Sequence, residues 1–121
     1  MKLNELKNMK RAVEMPMGKN EVIFDHIDYR VDRDTDEITG VFVHVKNYKP
    51  LFIPFFNEGQ NFQLDLLLEQ LGCESYDPDE VNQYTGSMII AHRYIRETPD
   101  QTYTNVSFNA NYNQAPDGLP A

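Results

Sequence analysis

Two β-rich runs, Glu21 to Arg30 and Gly40 to Lys46, flank a polar, acidic connector at 31–39. This hairpin signal constrains the fold more than any other stretch of the chain. With the turn centred near Thr35, Ile27 faces Val43, Tyr29 faces Val41, and Ile23 lies on the same side as Val45. Strand alternation sends all six to one face, which is the expected core. The opposite face then carries Phe24, His26, Asp28 and Arg30 alongside Phe42, His44 and Lys46. A slip of one residue would destroy that segregation.

The rest of the chain extends the pattern. After the turn Asn47-Tyr48-Lys49-Pro50, a third apolar run spans Leu51 to Phe56, and Pro54 within it marks an edge or a bulge. Phe62, Leu66, Leu67 and Leu71 then recur near the helical period, with Asn61 as a cap and Gly72 as a stop. Asp77-Pro78-Asp79-Glu80 reads as N-cap, N1 proline and acidic first turn of a short second helix ending before Gly86. Two further β runs, Ser87 to Arg96 and Thr102 to Ala110, form a hairpin across Glu97-Thr98-Pro99-Asp100-Gln101. Three strands, a helix, a turn and two strands is the order of the OB-fold, a five-stranded barrel with a helix between its third and fourth strands. The competing architecture is a plain α+β sheet with the helix across one face. Residues 1–20 read as a mobile basic arm, 21–110 as the mainly β barrel domain, and 111–121, with Pro116, Gly118 and Pro120, as a disordered tail.

Charge narrows the function. The 121-residue chain carries −8 overall, which argues against a simple polyanion binder. The signs are unevenly placed: residues 1–20 hold five Lys/Arg against two acids, whereas 21–96 hold six against fourteen. Cys73 is the single cysteine, so an intrachain disulfide and a multi-cysteine zinc site are both excluded. A reducing, cytoplasmic setting is expected. No apolar run approaches the roughly 20 residues of a membrane span, and no signal sequence is evident, so no membrane association is expected.

Motifs for catalysis are sparse. Ser75, Ser87, Ser107 and Cys73 have no nucleophile elbow around them, and no glycine-rich phosphate loop occurs. The run Asp32-Arg33-Asp34-Thr35-Asp36 has the alternating acids of a calcium loop, but Glu37 replaces its glycine and Val43 its twelfth-position Glu. A solvated hairpin tip is the expectation there. His26, His44 and His92 lie on three expected strands, with His26 opposite His44, so a three-histidine metal site is conceivable. No motif supports it, and no enzyme activity, metal or cofactor is expected.

The exposed strand face is more informative. Phe24, Phe42, His44 and Lys46 combine there with Arg93, or with His92, Tyr94 and Arg96, and the neighbouring loop adds Tyr48 and Lys49. Rings interleaved with cations suit single-stranded nucleic acid, because bases stack on rings while cations meet phosphates. In this reading Phe24, Phe42, Tyr48 and Tyr94 stack bases, Lys46, Lys49, Arg93 and Arg96 meet phosphates, and the basic arm clamps the strand.

The second half resembles a family. Phe62 to Gly72, then Asp77 to Val81, Gly86, and the strand ending Tyr103-Thr104-Asn105-Val106-Ser107-Phe108 resemble small OB-like proteins of phages and mobile elements. The shared pattern is a helix ending in Leu-Gly, an acidic turn, a glycine opening a strand and a final Tyr-x-Asn-Val strand, over about residues 60–110. The resemblance implies single-stranded-DNA binding in replication or recombination; a homo-oligomer and replication or recombination proteins as partners are separate expectations. The acidic tail departs from the pattern, lacking a dense Asp run and terminal Phe. A protein–protein adaptor on the same fold, with no nucleic acid involved, is the alternative expectation.

Overall fold

A computed structural model describes residues 13–55 and 62–111. Five antiparallel strands, β1 (Gly18–Val31), β2 (Ile38–Val45), β3 (Leu51–Pro54), β4 (Met88–Glu97) and β5 (Thr102–Ser107), form one sheet in the order β3-β2-β1-β4-β5. Helix α1 (Phe62–Leu71) falls between β3 and β4, followed by the short helix α2 (Pro78–Val81) and a 3-10 turn at Asn82–Tyr84. The sheet is not closed: β3 and β5 stand at its two edges, and no ladder joins them among the described residues.

The central strand explains the shape. At 14 residues, β1 would reach about 45 Å if straight, far longer than a core of this size needs to be covered. It therefore bends and changes partners. Gly18 to Ile23 pair with β4, whereas Phe24 to Val31 pair with β2. The hairpin register is the expected one from His26↔His44 through Ile27↔Val43 to Arg30↔Gly40, but Phe24 lies opposite Val45, leaving Asp25 as an extra residue. Such a bulge inverts the strand's facing. Val22 and Phe24 point into the core before it, Ile27 after it, and all three are buried.

Two expectations fall with that inversion. Phe24 is fully buried rather than on the outer face, and Ile23 is half-buried, paired with the exposed Met88 instead of joining the core. Alternation is a reliable guide only while the ladder is unbroken, and an extra residue shifts it by one.

Side-chain amides finish the edges that the bend leaves open. Opposite the bulge, Ile27 N donates to Asn82 Oδ1 at 2.8 Å, while Gly86 N donates to Phe24 O and Phe24 N to Ser87 O, each at 2.8 Å. On β4, Ile90 N donates to Gln70 Oε1 at 2.7 Å, and Gln70 Nε2 donates to Ile90 O at 2.8 Å and Phe108 O at 2.7 Å. Gln70 thus stands where a neighbouring strand would, satisfying backbone groups that would otherwise be stranded beneath the helix.

Helix α1 buries Leu64, Leu67, Leu68 and Leu71, a stripe at i, i+3, i+4 and i+7. The expected stripe through Phe62 and Leu66 is rotated: Phe62 is exposed and Leu66 half-buried. Gly72, at φ 77°, stops the helix in the left-handed conformation. The expected Asn61 cap lies outside the described residues. Asp77 caps α2 as expected, accepting from Asp79 N at 2.9 Å with Pro78 at N1.

The N-terminal boundary moves. Gly18 to Asn20 already belong to β1, and Met15 is buried in the core, so the chain is tied down from Val13 onward by a bridge to Tyr48. No helix among the described residues is long and apolar enough to cross a membrane.

Candidate functional site

The outer face of β1, β2 and β3 is set by register. Asp28, Phe42 and Phe52 form one cross-strand row, and Arg30, Gly40 and Pro54 form the next. His26 and His44 precede them as a directly opposed pair. Phe42 meets Phe52 with ring centroids 4.7 Å apart and a 43° tilt, and the Arg30 guanidinium lies 5.7 Å from the Phe52 centroid. Such a cation–π contact prefers the ring face.

Gly40 makes this packing possible. A Cβ at that position would stand 2.4 Å from Phe52 Cζ and 2.7 Å from Ile53 O. The Phe52 ring therefore lies over bare backbone, where a side chain would otherwise stand. Beyond it opens a groove lined by Arg30, Arg33, Asp34, Phe52 and Phe55. The acidic loop rims this groove but is partly engaged with itself: Asp32 Oδ1 accepts from Asp34 N at 2.8 Å and from Thr35 N at 3.3 Å.

The expected binding residues are only partly brought together. Phe42 and His44 share the outer face, both half-buried. Phe24 is inside the core and cannot stack a base, as the bulge dictates. Arg93 donates to Met15 O at 2.5 Å and approaches Glu14 at 3.6 Å, and Lys49 approaches the same Glu14 at 3.7 Å, so an acid of the N-terminal segment engages both cations. Tyr48 packs half-buried against the core beside that segment. Lys46 is exposed at the end of β2, whereas Tyr94 and Arg96 lie on β4, separated from β2 by the whole of β1.

Sequence reasoning placed Arg30 on the outer face without joining it to the candidate site, and did not place Phe52 or Arg33 there. Pairing the third run against the second would have set Phe52 beside Phe42, and the glycine at 40 signalled a close approach from the neighbouring strand.

The three histidines do not converge. His92 is buried on β4 opposite Lys19, and its burial, with Lys19 adding to the effect, lowers its pKa below the usual imidazole value. His26 and His44 instead stack at 4.0 Å with planes 8° apart, and Asp28 takes the third place. Asp28 Oδ2 lies 3.0 Å from His44 Nε2 and 3.3 Å from His26 Nε2, while His26 Nδ1 lies 2.5 Å from Asp25 Oδ2.

In comparisons with protein-family models and with curated proteins, the chain finds no match.

Proposed function

We propose that this chain is a small, non-catalytic binding module of OB-like build that takes short single-stranded DNA on the outer face of β1, β2 and β3, as an accessory to replication or recombination in a phage or mobile element. The strand order, the helix after β3 and the bent first strand shared by two halves of the sheet agree with an OB-like plan. OB-folds take oligonucleotides on the face of strands 2 and 3 and on the loop between strands 1 and 2. Here that region holds Phe42, Phe52, Arg30 and Arg33.

The observation that carries the reading is the Arg30–Phe52–Phe42 arrangement at the mouth of the groove, a ring pair with its own cation. Bases stack on such rings whatever their sequence, and the two arginines reach phosphates. The body's negative charge weakens duplex binding and leaves stacking dominant. Arg93 and Lys49 are secondary in this reading, because the Glu14 carboxylate near both competes with a phosphate for them.

Titration of a fluorescent oligo-dT, read by anisotropy at low and moderate salt, tests the proposal. Binding is expected to weaken about 5- to 150-fold in Phe52→Ala or Phe42→Ala, the equivalent of one stacked base at about 1–3 kcal/mol. With two phosphate contacts, the log–log salt slope should be about −1.4. Absence of binding at low salt, or both variants matching wild type, would end it.

A further inference from the structure

The His26–Asp28–His44 cluster has a proton-counting problem. Both ring nitrogens of His26 face carboxylates, Nδ1 at 2.5 Å from Asp25 and Nε2 at 3.3 Å from Asp28. A neutral imidazole has one N–H to give. If Nδ1–H serves Asp25, then Nε2 turns a lone pair toward the lone pairs of Asp28. His44 Nε2, 3.0 Å away, is directed at the same Asp28 oxygen. Two imidazole nitrogens and one carboxylate oxygen thus lie within 4.8 Å of one another, accessible from solvent, with side-chain exposures of 37%, 29% and 63% for His26, His44 and Asp28.

We infer that this cluster is a binding site for one divalent first-row transition ion, zinc by ligand type, with His26 Nε2, His44 Nε2 and the Asp28 carboxylate as ligands. The separations suit it. Ligand atoms about 2.0–2.1 Å from a shared ion lie roughly 2.9 Å apart at right angles and roughly 3.3 Å apart at tetrahedral angles, which brackets the 3.0 and 3.3 Å found here. The ion replaces the conflict at His26 with a bond, and His44 takes the tautomer with its proton on Nδ1. Asp25 then does what carboxylates behind metal-bound histidines do: it accepts the far N–H and fixes the ring. Two imidazoles and one carboxylate select zinc or its neighbours over magnesium and calcium, which demand oxygen.

Parallel rings send their lone pairs along parallel lines, so capture requires the two imidazoles to tilt toward each other. Rotation about χ2 is broad for histidine and allows this. The site joins β1 to β2 just beyond the bulge, and the remaining coordination position faces solvent. It lies on the same outer face, with Asp28 in the row of Phe42 and Phe52, but none of its ligands belongs to the Arg30–Phe52–Phe42 group, so zinc binding and oligo-dT binding are read separately.

The test is titration of the full chain with zinc chloride at pH 7.5 against a chromophoric zinc indicator. Wild type should bind one equivalent, and His44→Gln and Asp28→Asn should each weaken it at least tenfold, roughly the lower end of the loss seen when even supporting groups are removed. Magnesium in excess should not compete. In wild type alone, which needs no variant to fold, one equivalent of zinc should shift the ring-nitrogen NMR signals of His26 and His44 and leave those of His92 in place. A lack of one-to-one binding, unchanged affinity in both variants, or ring signals of His26 and His44 that do not move would overturn the assignment.

Discussion

Gly40→Ala is a one-carbon change that should act on fold and face together. The new Cβ would start 2.4 Å from Phe52 Cζ and 2.7 Å from Ile53 O, against the 3.4 Å or more of ordinary contact. The ring could swing away, but the carbonyl is backbone, so β3 must also retreat by several tenths of an ångström. Overpacking of this kind costs about 1–3 kcal/mol. For a domain of roughly 100 residues, each kcal/mol lowers the melting temperature by about 4 °C, so a fall of about 4–12 °C is expected. Displacing Phe52 should also weaken oligo-dT binding in the direction of Phe52→Ala. A double-mutant cycle isolates the ring contact: in the Phe52→Ala background the ring obstacle is gone, and Gly40→Ala should cost at least about 0.5 kcal/mol less there. Thermal melts of the four proteins by circular dichroism measure it. Equal costs in both backgrounds would refute the packing of Phe52 over Gly40.

Phe24→Ala should destabilise by about 3–5 kcal/mol in chemical denaturation, because a fully buried ring is deleted; a near-neutral effect would return Phe24 to the surface and remove the bulge. Gln70→Ala leaves Ile90 N, Ile90 O and Phe108 O without their partner, and should cost about 2–4 kcal/mol in the same assay, since each stranded half-buried group carries a penalty of about 1–3 kcal/mol that solvent partly relieves. His92 titrates below its usual value because it is buried. The unfolded chain therefore takes up a proton there first, and stability is present above about pH 6.5 and lost as pH falls through the lower folded value. Melts between pH 7.5 and 5 should show His92→Gln losing less stability on acidification than wild type.

Much of the fold was legible because its signals are local. Asp77-Pro78, Gly72 and the two hairpins each announce themselves through caps, turn residues or alternation, and the register from His26 to Arg30 follows from pairing apolar residues. The bulge was not legible. Asp25 is unremarkable in sequence, and its role comes from a long strand having to serve two partners. The edge-filling amides of Asn82 and Gln70 were equally hidden, since each bonds a strand remote in sequence.

The same causes shaped the site. Phe42 and His44 stand on the expected face because they lie within an unbroken ladder, and Phe24 was misplaced because it lies across the break. Lys49 and Arg93 looked available as cations, and only three dimensions bring Glu14 to both. Asp28 rather than His92 stands beside His26 and His44 because their neighbour is chosen by the β1–β2 register, and β4 lies on the far side of β1.

Whether a single strand docks on the outer face of β1, β2 and β3 is the most direct test of the proposed function. Isotope-labelled full-length protein titrated with unlabelled oligo-dT, followed by heteronuclear NMR, measures it residue by residue. Signals of Phe42, Phe52, Arg30 and Arg33 should move together and saturate at one stoichiometry. Movement confined to β4 and β5, or a spectrum that does not change at all, would contradict docking on the outer face of the first three strands.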